Sequence, residues 1–280
     1  MLRVALSHDV DRITKSHQFI TRTWRSIYSA DYRGVLNQIK DLGRSNQYWG
    51  FDEVIKIESE FGVKSTFFFL NESLRTNILS PNSWKLSMGR YNIHDRKVVN
   101  IIKWLDTNGW EIGVHGSYLS FKNLNLLISE KKTLESIVGH EIIGIRQHYI
   151  NIADTTWQLQ FNAGFKYDST WGLGEEIGYR ENIVKPFSPL NNSFRVIPFA
   201  VMDSCFASTP NKWDKLQTII DQTIENDAIL VINWHTNNYS ELDFPDYKKN
   251  YIKIIETCIK NGAKFYTLKD YYNQILSNGH

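Results

Sequence analysis

The chain has 280 residues, 42% of them apolar, which suits one large α/β domain or two small ones. Its 32 basic and 30 acidic groups nearly cancel and are interspersed, so the whole-chain charge makes no electrostatic case for nucleic acid or an anionic membrane surface. No apolar run approaches the roughly 20 residues of a membrane span, no signal-peptide pattern is present, and Cys205 and Cys258 lack metal-type spacing. These features point to a cytoplasmic protein with two buried free thiols, a single disulfide being the alternative.

A β-leaning run over residues 2–7 leads into Leu6-Ser7-His8-Asp9-Val10-Asp11. If that run is a strand, the acids stand at its carboxyl end, where α/β folds build their sites, and alternation puts Asp9 and Asp11 on one face. Two helices are expected next, about 17–43 and 52–60. Ser65–Leu70 then reads as a buried strand. A helix over Val98–Asn108 stops at Gly109, before a strand over Trp110–Val114. Another helix, Leu124–Val138, ends at Gly139 ahead of a strand over Ile142–Ile145. A third, Thr155–Ala163, is stopped by Gly164 ahead of Phe165–Tyr167. Phe194–Ile197, Ala228–Asn233 and Lys264–Tyr266 complete the strands, with helices near 212–226, 245–261 and 268–277.

This order predicts an α/β fold, an irregular (β/α) barrel of seven or so parallel strands, as a single domain over residues 1–280. The stretches near 14–60 and 171–212 depart from the alternation and read as insertions framing the site. An open doubly wound sheet is the alternative, but no Gly-rich phosphate loop follows the first strand.

Five strand ends carry ionisable groups. They are Asp9 with Asp11, His115, Arg146 with His148, Asp168, and His235. In order and local sequence they resemble the motifs of the polysaccharide deacetylase family, carbohydrate esterase family 4, built on the NodB-homology domain. Leu6-Ser7-His8-Asp9-Val10-Asp11 is similar to its first motif, which implies a general base at Asp9 and a metal ligand at Asp11. His115-Gly116-Ser117-Tyr118 resembles its second motif and implies a ligand at His115. Arg146-Gln147-His148-Tyr149 resembles the third, implying that Arg146 orients the base and that the Tyr149 backbone N–H faces the oxyanion. Asp168 and Trp171 fall where the fourth motif lies, and His235 matches the general acid of the fifth, with Asp168 the expected partner of its imidazolium.

The second histidine of the family's His-x-x-x-His would fall at Leu119, which cannot bind a metal. His148 is the favoured replacement, with His8 and a metal-free site as alternatives. Asp11, His115 and His148 would suit a divalent ion, zinc first among several.

The resemblance implies a metal-dependent hydrolase that removes an acetyl or related acyl group from an N-acylated sugar, with no nucleic-acid partner. Two other readings are a non-catalytic carbohydrate-binding relative and a metal-free hydrolase. Taken singly the residues have plainer uses: the acids as turn or cap residues, the histidines as hydrogen-bonded core, Arg146 as a surface cation. His140 is assigned no role.

Overall fold

The computed structural model describes residues 1–15, 18–41, 48–74, 86, 90–191 and 193–277. The first strand, β1 (Arg3–Val10), is buried from Val4 onward, as expected of a parallel strand covered on both faces. Seven strands follow it around the sheet: β2 (Thr66–Leu70), β3 (Glu111–Gly116), β4 (Gly144–Gln147), β5 (Tyr167–Asp168), β6 (Arg195–Val196), β7 (Val201–Met202) and β8 (Ile229–Asn233). The spatial order is β6-β5-β4-β3-β2-β1-β8-β7, and each of these pairings is parallel. The result is a curled parallel sheet wrapped by helices, an irregular (β/α) barrel.

Two details shape the closure. β9 (Lys264–Tyr266) pairs with Arg3–Ala5 of β1, while β2 pairs with Ser7–Val10. Because β8 already holds the opposite edge of β1 over Arg3–Ser7, β9 and β2 divide the remaining edge between them. The segment around β6 and β7 bonds to both ends of the curl. Ile197 N donates to Asp168 O at 2.8 Å, and Ala200 N donates to Val231 O at 3.1 Å.

Strand alternation separates two cores. Ala5, Phe68, Tyr167 and Val231 pack together in the interior, while Val4, Leu6, Phe67, Phe69 and Ile232 face the helical layer. Gly113 and Gly144 leave the interior volume that larger neighbours take. A Cβ on Gly113 would lie 2.6 Å from the Phe68 ring, and one on Gly144 would lie 2.2 Å from the Tyr167 hydroxyl.

The strand order matches the sequence pattern, but several boundaries move. β1, β3 and β4 run two or three residues further than expected, so Asp9, His115 and Arg146 lie within strands and not in the loops after them. The backbone ladder continues because the barrel interior satisfies these polar side chains. Of the single helix expected over 17–43, positions 17, 42 and 43 lie outside the described residues, and the remainder forms two helices, Gln18–Tyr28 and Tyr32–Asp41. Ala30, at φ 54°, turns the chain between them, and Asp31 Oδ1 accepts from Gly34 N at 2.9 Å to start the second. By contrast, Leu124–Val138 has the expected limits. Asn123 caps it by accepting from Leu126 N, and Gly139 ends it at φ 84°.

On the outer face, Glu58 ties the first strand to the helical layer. Its carboxylate lies 2.8 Å from His8 Nε2 and accepts from Tyr251 OH at 2.7 Å, Ser65 Oγ at 2.9 Å and Trp110 Nε1 at 2.6 Å. His8 Nδ1 donates to Trp234 O at 2.6 Å. Glu58→Ala strands these buried groups, and we expect a loss of about 3–5 kcal/mol in urea unfolding, where an unchanged midpoint would contradict this role.

Candidate active site at the carboxyl edge of the barrel

Ser7 and Asp9 share the inward face of β1. Asp9 lies against Arg146 from β4 and Asn233 from β8. Asp9 Oδ1 accepts from Arg146 Nη1 at 3.0 Å, and its Oδ2 accepts from Asn233 Nδ2 at 2.7 Å. Arg146 is held on every side. Its Nε donates to Ser169 O at 2.8 Å, Nη1 to Ser7 Oγ at 2.9 Å and Nη2 to Ser169 Oγ at 3.1 Å. The guanidinium also lies 4.5 Å from the Phe68 ring centre. Burial pushes Asp9 up, but the charges of Arg146, His115 and His235 prevail and hold it below the usual carboxylate range. Asp9 is therefore an ionised carboxylate at neutral pH.

Asp11 stands one residue beyond β1. His115 Nε2 is 3.1 Å from Asp11 Oδ1, His148 Nε2 is 3.6 Å from Asp11 Oδ2, and His235 Nε2 is 3.7 Å from the same oxygen. Burial raises Asp11, but the His148 and His115 imidazoles beside it hold it well below the ordinary value. One donor atom from each of Asp11, His115 and His148 lies within 4.8 Å of the others, so the three can hold a metal ion. Two further observations fit that use. His115 Nδ1 donates to Arg146 O at 2.9 Å, and its Nε2 stands 3.1 Å from the buried Asp11 Oδ1, so a metal that displaced the Nε2 proton would meet that lone pair and the carboxylate together.

The structure places His148, the expected replacement for the Leu119 gap, beside Asp11 and with its ring centre 5.1 Å from that of His115. His8, the alternative, points the other way, because a residue adjacent to Asp9 in a strand faces the opposite side of the sheet. Leu119 is partly exposed in the loop after β3. Tyr149 lines the same cleft in a left-handed conformation at φ 57°, its ring 4.4 Å from that of His148.

His235 requires a correction. Its expected partner, Asp168, instead accepts from Thr170 N at 2.8 Å, Thr170 Oγ1 at 2.5 Å and Gln160 Nε2 at 2.9 Å, and makes no contact with the imidazole. Asp168 faces the Gln160 helix, and burial raises its carboxyl despite these bonds. The partner is Asp203, the residue after β7. His235 Nδ1 lies 3.0 Å from Asp203 Oδ2, and the same oxygen accepts from His235 N and Asn238 Nδ2, each at 2.7 Å. Burial disfavours the imidazolium, but Asp203 and then Asp11 and Asp9 raise its pKa to about 10. Sequence reasoning missed Asp203 because β7 has two residues within a stretch read as irregular. Asn233 was missed as well, as the last residue of a strand recognised only for its apolar run.

Asp9, Asp11, His115, Arg146, His148 and His235 all line one cleft of about 410 Å³, walled in part by Tyr149, Phe199, Met202 and Phe244. A buried carboxylate fixed by a guanidinium, three donors of metal type and a histidine held by its own carboxylate thus open on one space. That set can move protons to and from a bound substrate.

No protein-family model matches the sequence, and no curated protein matches it. Solved structures do share the fold. A Mycobacterium smegmatis protein assigned as a polysaccharide deacetylase aligns over 99% of this chain and 91% of its own, at 16% identity and a TM-score of 0.62. PuuE allantoinase aligns over 97% of this chain and 89% of its own, at 12% identity and a TM-score of 0.59. The Xyl-CE4 domain of a xylanase from the hindgut metagenome of Trinervitermes trinervoides aligns over 98% and 90%, at 15% identity and a TM-score of 0.47. The chain has the fold of the polysaccharide deacetylases.

The His235–Asp203 pair gives a pH-dependent expectation. A pKa raised on folding contributes stability that is complete below the ordinary histidine range and is lost as pH rises through about 10. In metal-free protein, Asp203→Asn should bring the His235 titration, followed by imidazole NMR, down toward the ordinary histidine value. A titration unmoved by the substitution would remove Asp203 as its partner.

Proposed function

We propose that this protein is a divergent member of the polysaccharide deacetylase family, a metal-dependent hydrolase that removes an acetyl or related acyl group from the nitrogen of a sugar. The observation that carries the reading is the meeting, in one cleft, of the Asp9–Arg146 pair with the donors of Asp11, His115 and His148. A sugar-binding module needs no carboxylate buried against a guanidinium, and none of its contacts calls for three donors of metal type. The polysaccharide deacetylase among the solved structures of this fold supports an N-acyl sugar as the substrate class.

A divalent ion held by Asp11, His115 and His148, with zinc the best match to one carboxylate and two imidazoles, would polarise the amide carbonyl and acidify a water. Asp9 takes the proton of the attacking water. Arg146 keeps Asp9 ionised, and Asn233 fixes its second oxygen, so the carboxylate presents one orientation. The Tyr149 backbone N–H is the donor for the oxyanion, in a role worth about 3 kcal/mol where it has been measured elsewhere. His235, protonated at neutral pH through Asp203, gives its proton to the departing amine as the C–N bond breaks. The products are a carboxylate and a free amino sugar.

Purified protein should carry about one equivalent of metal, and His148→Ala should weaken that binding by about 100-fold or more, since even outer partners of metal ligands are worth 10- to 100-fold. Unchanged affinity in His148→Ala would exclude it as a ligand. Asp9→Asn should keep the metal and lower kcat for deacetylation of an N-acetylglucosamine oligomer by about 10²- to 10⁴-fold. Normal turnover in that variant would place the base elsewhere.

A further inference from the structure

The two helices Gln18–Tyr28 and Tyr32–Asp41 form a hairpin whose polarity is reversed. In a helix packed on a soluble core, apolar residues face in and polar ones face out. Here the buried residues are Gln18, Gln38 and Asp41. The exposed ones include Ile20, Trp24, Ile27 and Tyr28 on the first helix, and Tyr32, Leu36 and Ile39 on the second. Their spacing of i, i+4, i+7 puts each set on one stripe, and exposure reaches 55% at Trp24, 84% at Tyr28 and 80% at Tyr32. The inward face is held by polar bonds. Lys15 Nζ lies 2.8 Å from both Asp41 Oδ2 and Asp243 Oδ2, Gln38 Nε2 donates to Asp243 Oδ1 at 3.0 Å, and Arg22 Nη1 donates to Asp243 O at 2.8 Å.

We propose that this hairpin docks the protein on an anionic lipid surface, lying in the plane of the bilayer. Charge and composition select that occupant. The hairpin exposes Arg25, Arg33 and Lys40 beside the apolar stripe, against Asp31 as its exposed acid, and the stripe is rich in Trp and Tyr. Cations flanking an aromatic apolar face are the pattern of interfacial helices. The helices have 11 and 10 residues, and no described helix is long and apolar enough to cross a membrane.

The hairpin also adjoins the cleft. Arg22 lies 4.5 Å from the ring centre of Phe244, a cleft-lining residue, and Asp243, its neighbour, anchors the hairpin. A surface docked here would present its headgroups at the rim of the site. The substrate class is then an N-acyl sugar carried on a membrane lipid, an extension that rests on the hydrolase reading while lipid binding does not.

The test is cosedimentation of full-length protein with phosphatidylglycerol vesicles and with phosphatidylcholine vesicles, alongside its oligomeric state by light scattering. Wild type should be monomeric and partition to phosphatidylglycerol on the order of 100-fold more strongly, from three cations near the surface, with the preference falling as salt is raised. Trp24→Glu with Leu36→Glu should abolish binding to both vesicles. Arg25→Glu, Arg33→Glu and Lys40→Glu together should abolish the anionic preference, with circular dichroism unchanged in either variant. No vesicle binding by wild type would overturn the proposal, as would equal partition to the two lipids. A dimer that the Trp24→Glu/Leu36→Glu variant dissolves would mean that a second copy covers the face. For the substrate, that variant should lose deacetylation of a vesicle-borne N-acetyl glycolipid while keeping turnover of a water-soluble N-acetyl sugar. Equal loss on both would overturn the lipid-borne substrate, and vesicle binding without turnover of either would count against the hydrolase reading alone.

Discussion

A guanidinium inside the barrel sets the terms for everything above it. Arg146 sits almost wholly out of water between Phe68 and Phe199, and a buried cation is costly unless its charge and donors are met. Asp9 answers the charge, and Ser7 and Ser169 take the remaining donors. Those partners come from β1 and from the end of β5, while Arg146 itself stands on β4, so the bond set also fixes how β1, β4 and β5 stand relative to one another. Once Asp9 is turned inward to meet Arg146, Asp11 follows on the same side, and His115 and His148 are the nearest groups it can meet. The Arg146 carbonyl then orients His115. Packing, electrostatics and the candidate chemistry thus share one residue.

Much of this was legible from the residues. The order of strands and helices, the helix stop at Gly139, and the gathering of Asp9, Asp11, His115, Arg146, His148 and His235 follow from apolar runs ending in glycine or in polar groups. The strand ends themselves were misplaced for a physical reason: hydropathy marks where apolar burial stops, whereas the hydrogen-bonded ladder continues through Asp9 and Arg146 because other side chains satisfy them. The choice between His8 and His148 was already implicit in alternation, since neighbours on a strand cannot both face inward. Asp203 was not legible. Two residues of β7 give no periodic signal, and Asp168, nearer to the expected motif, drew the assignment away from it.

The hairpin shows a different limit of sequence reasoning. A net charge of +2 over 280 residues is blind to three cations gathered on one short surface. Helical periodicity is equally blind to direction: the pattern of Ile20, Trp24 and Ile27 declares an apolar stripe but not which way it faces. Direction comes from the groups that bind the other side. Here Lys15, Asp41 and Asp243 form a buried ionic latch that makes the polar face the inner one.

The placement of His148 also divides two duties between neighbouring parts of the molecule. A donor at position 119 would belong to the loop after β3, whose path depends on its own turns and on whatever it touches. His148 follows β4 directly, one residue past Gln147, and inherits its position from the sheet. The loop carrying Tyr118 and Leu119 supplies no donor to the metal-type set, but it braces the segment that does: Ser120 Oγ donates to Gln147 Oε1 at 3.0 Å, Asn151 Nδ2 donates to Tyr118 O at 3.3 Å, and the Tyr118 ring stands edge-on to that of Tyr149.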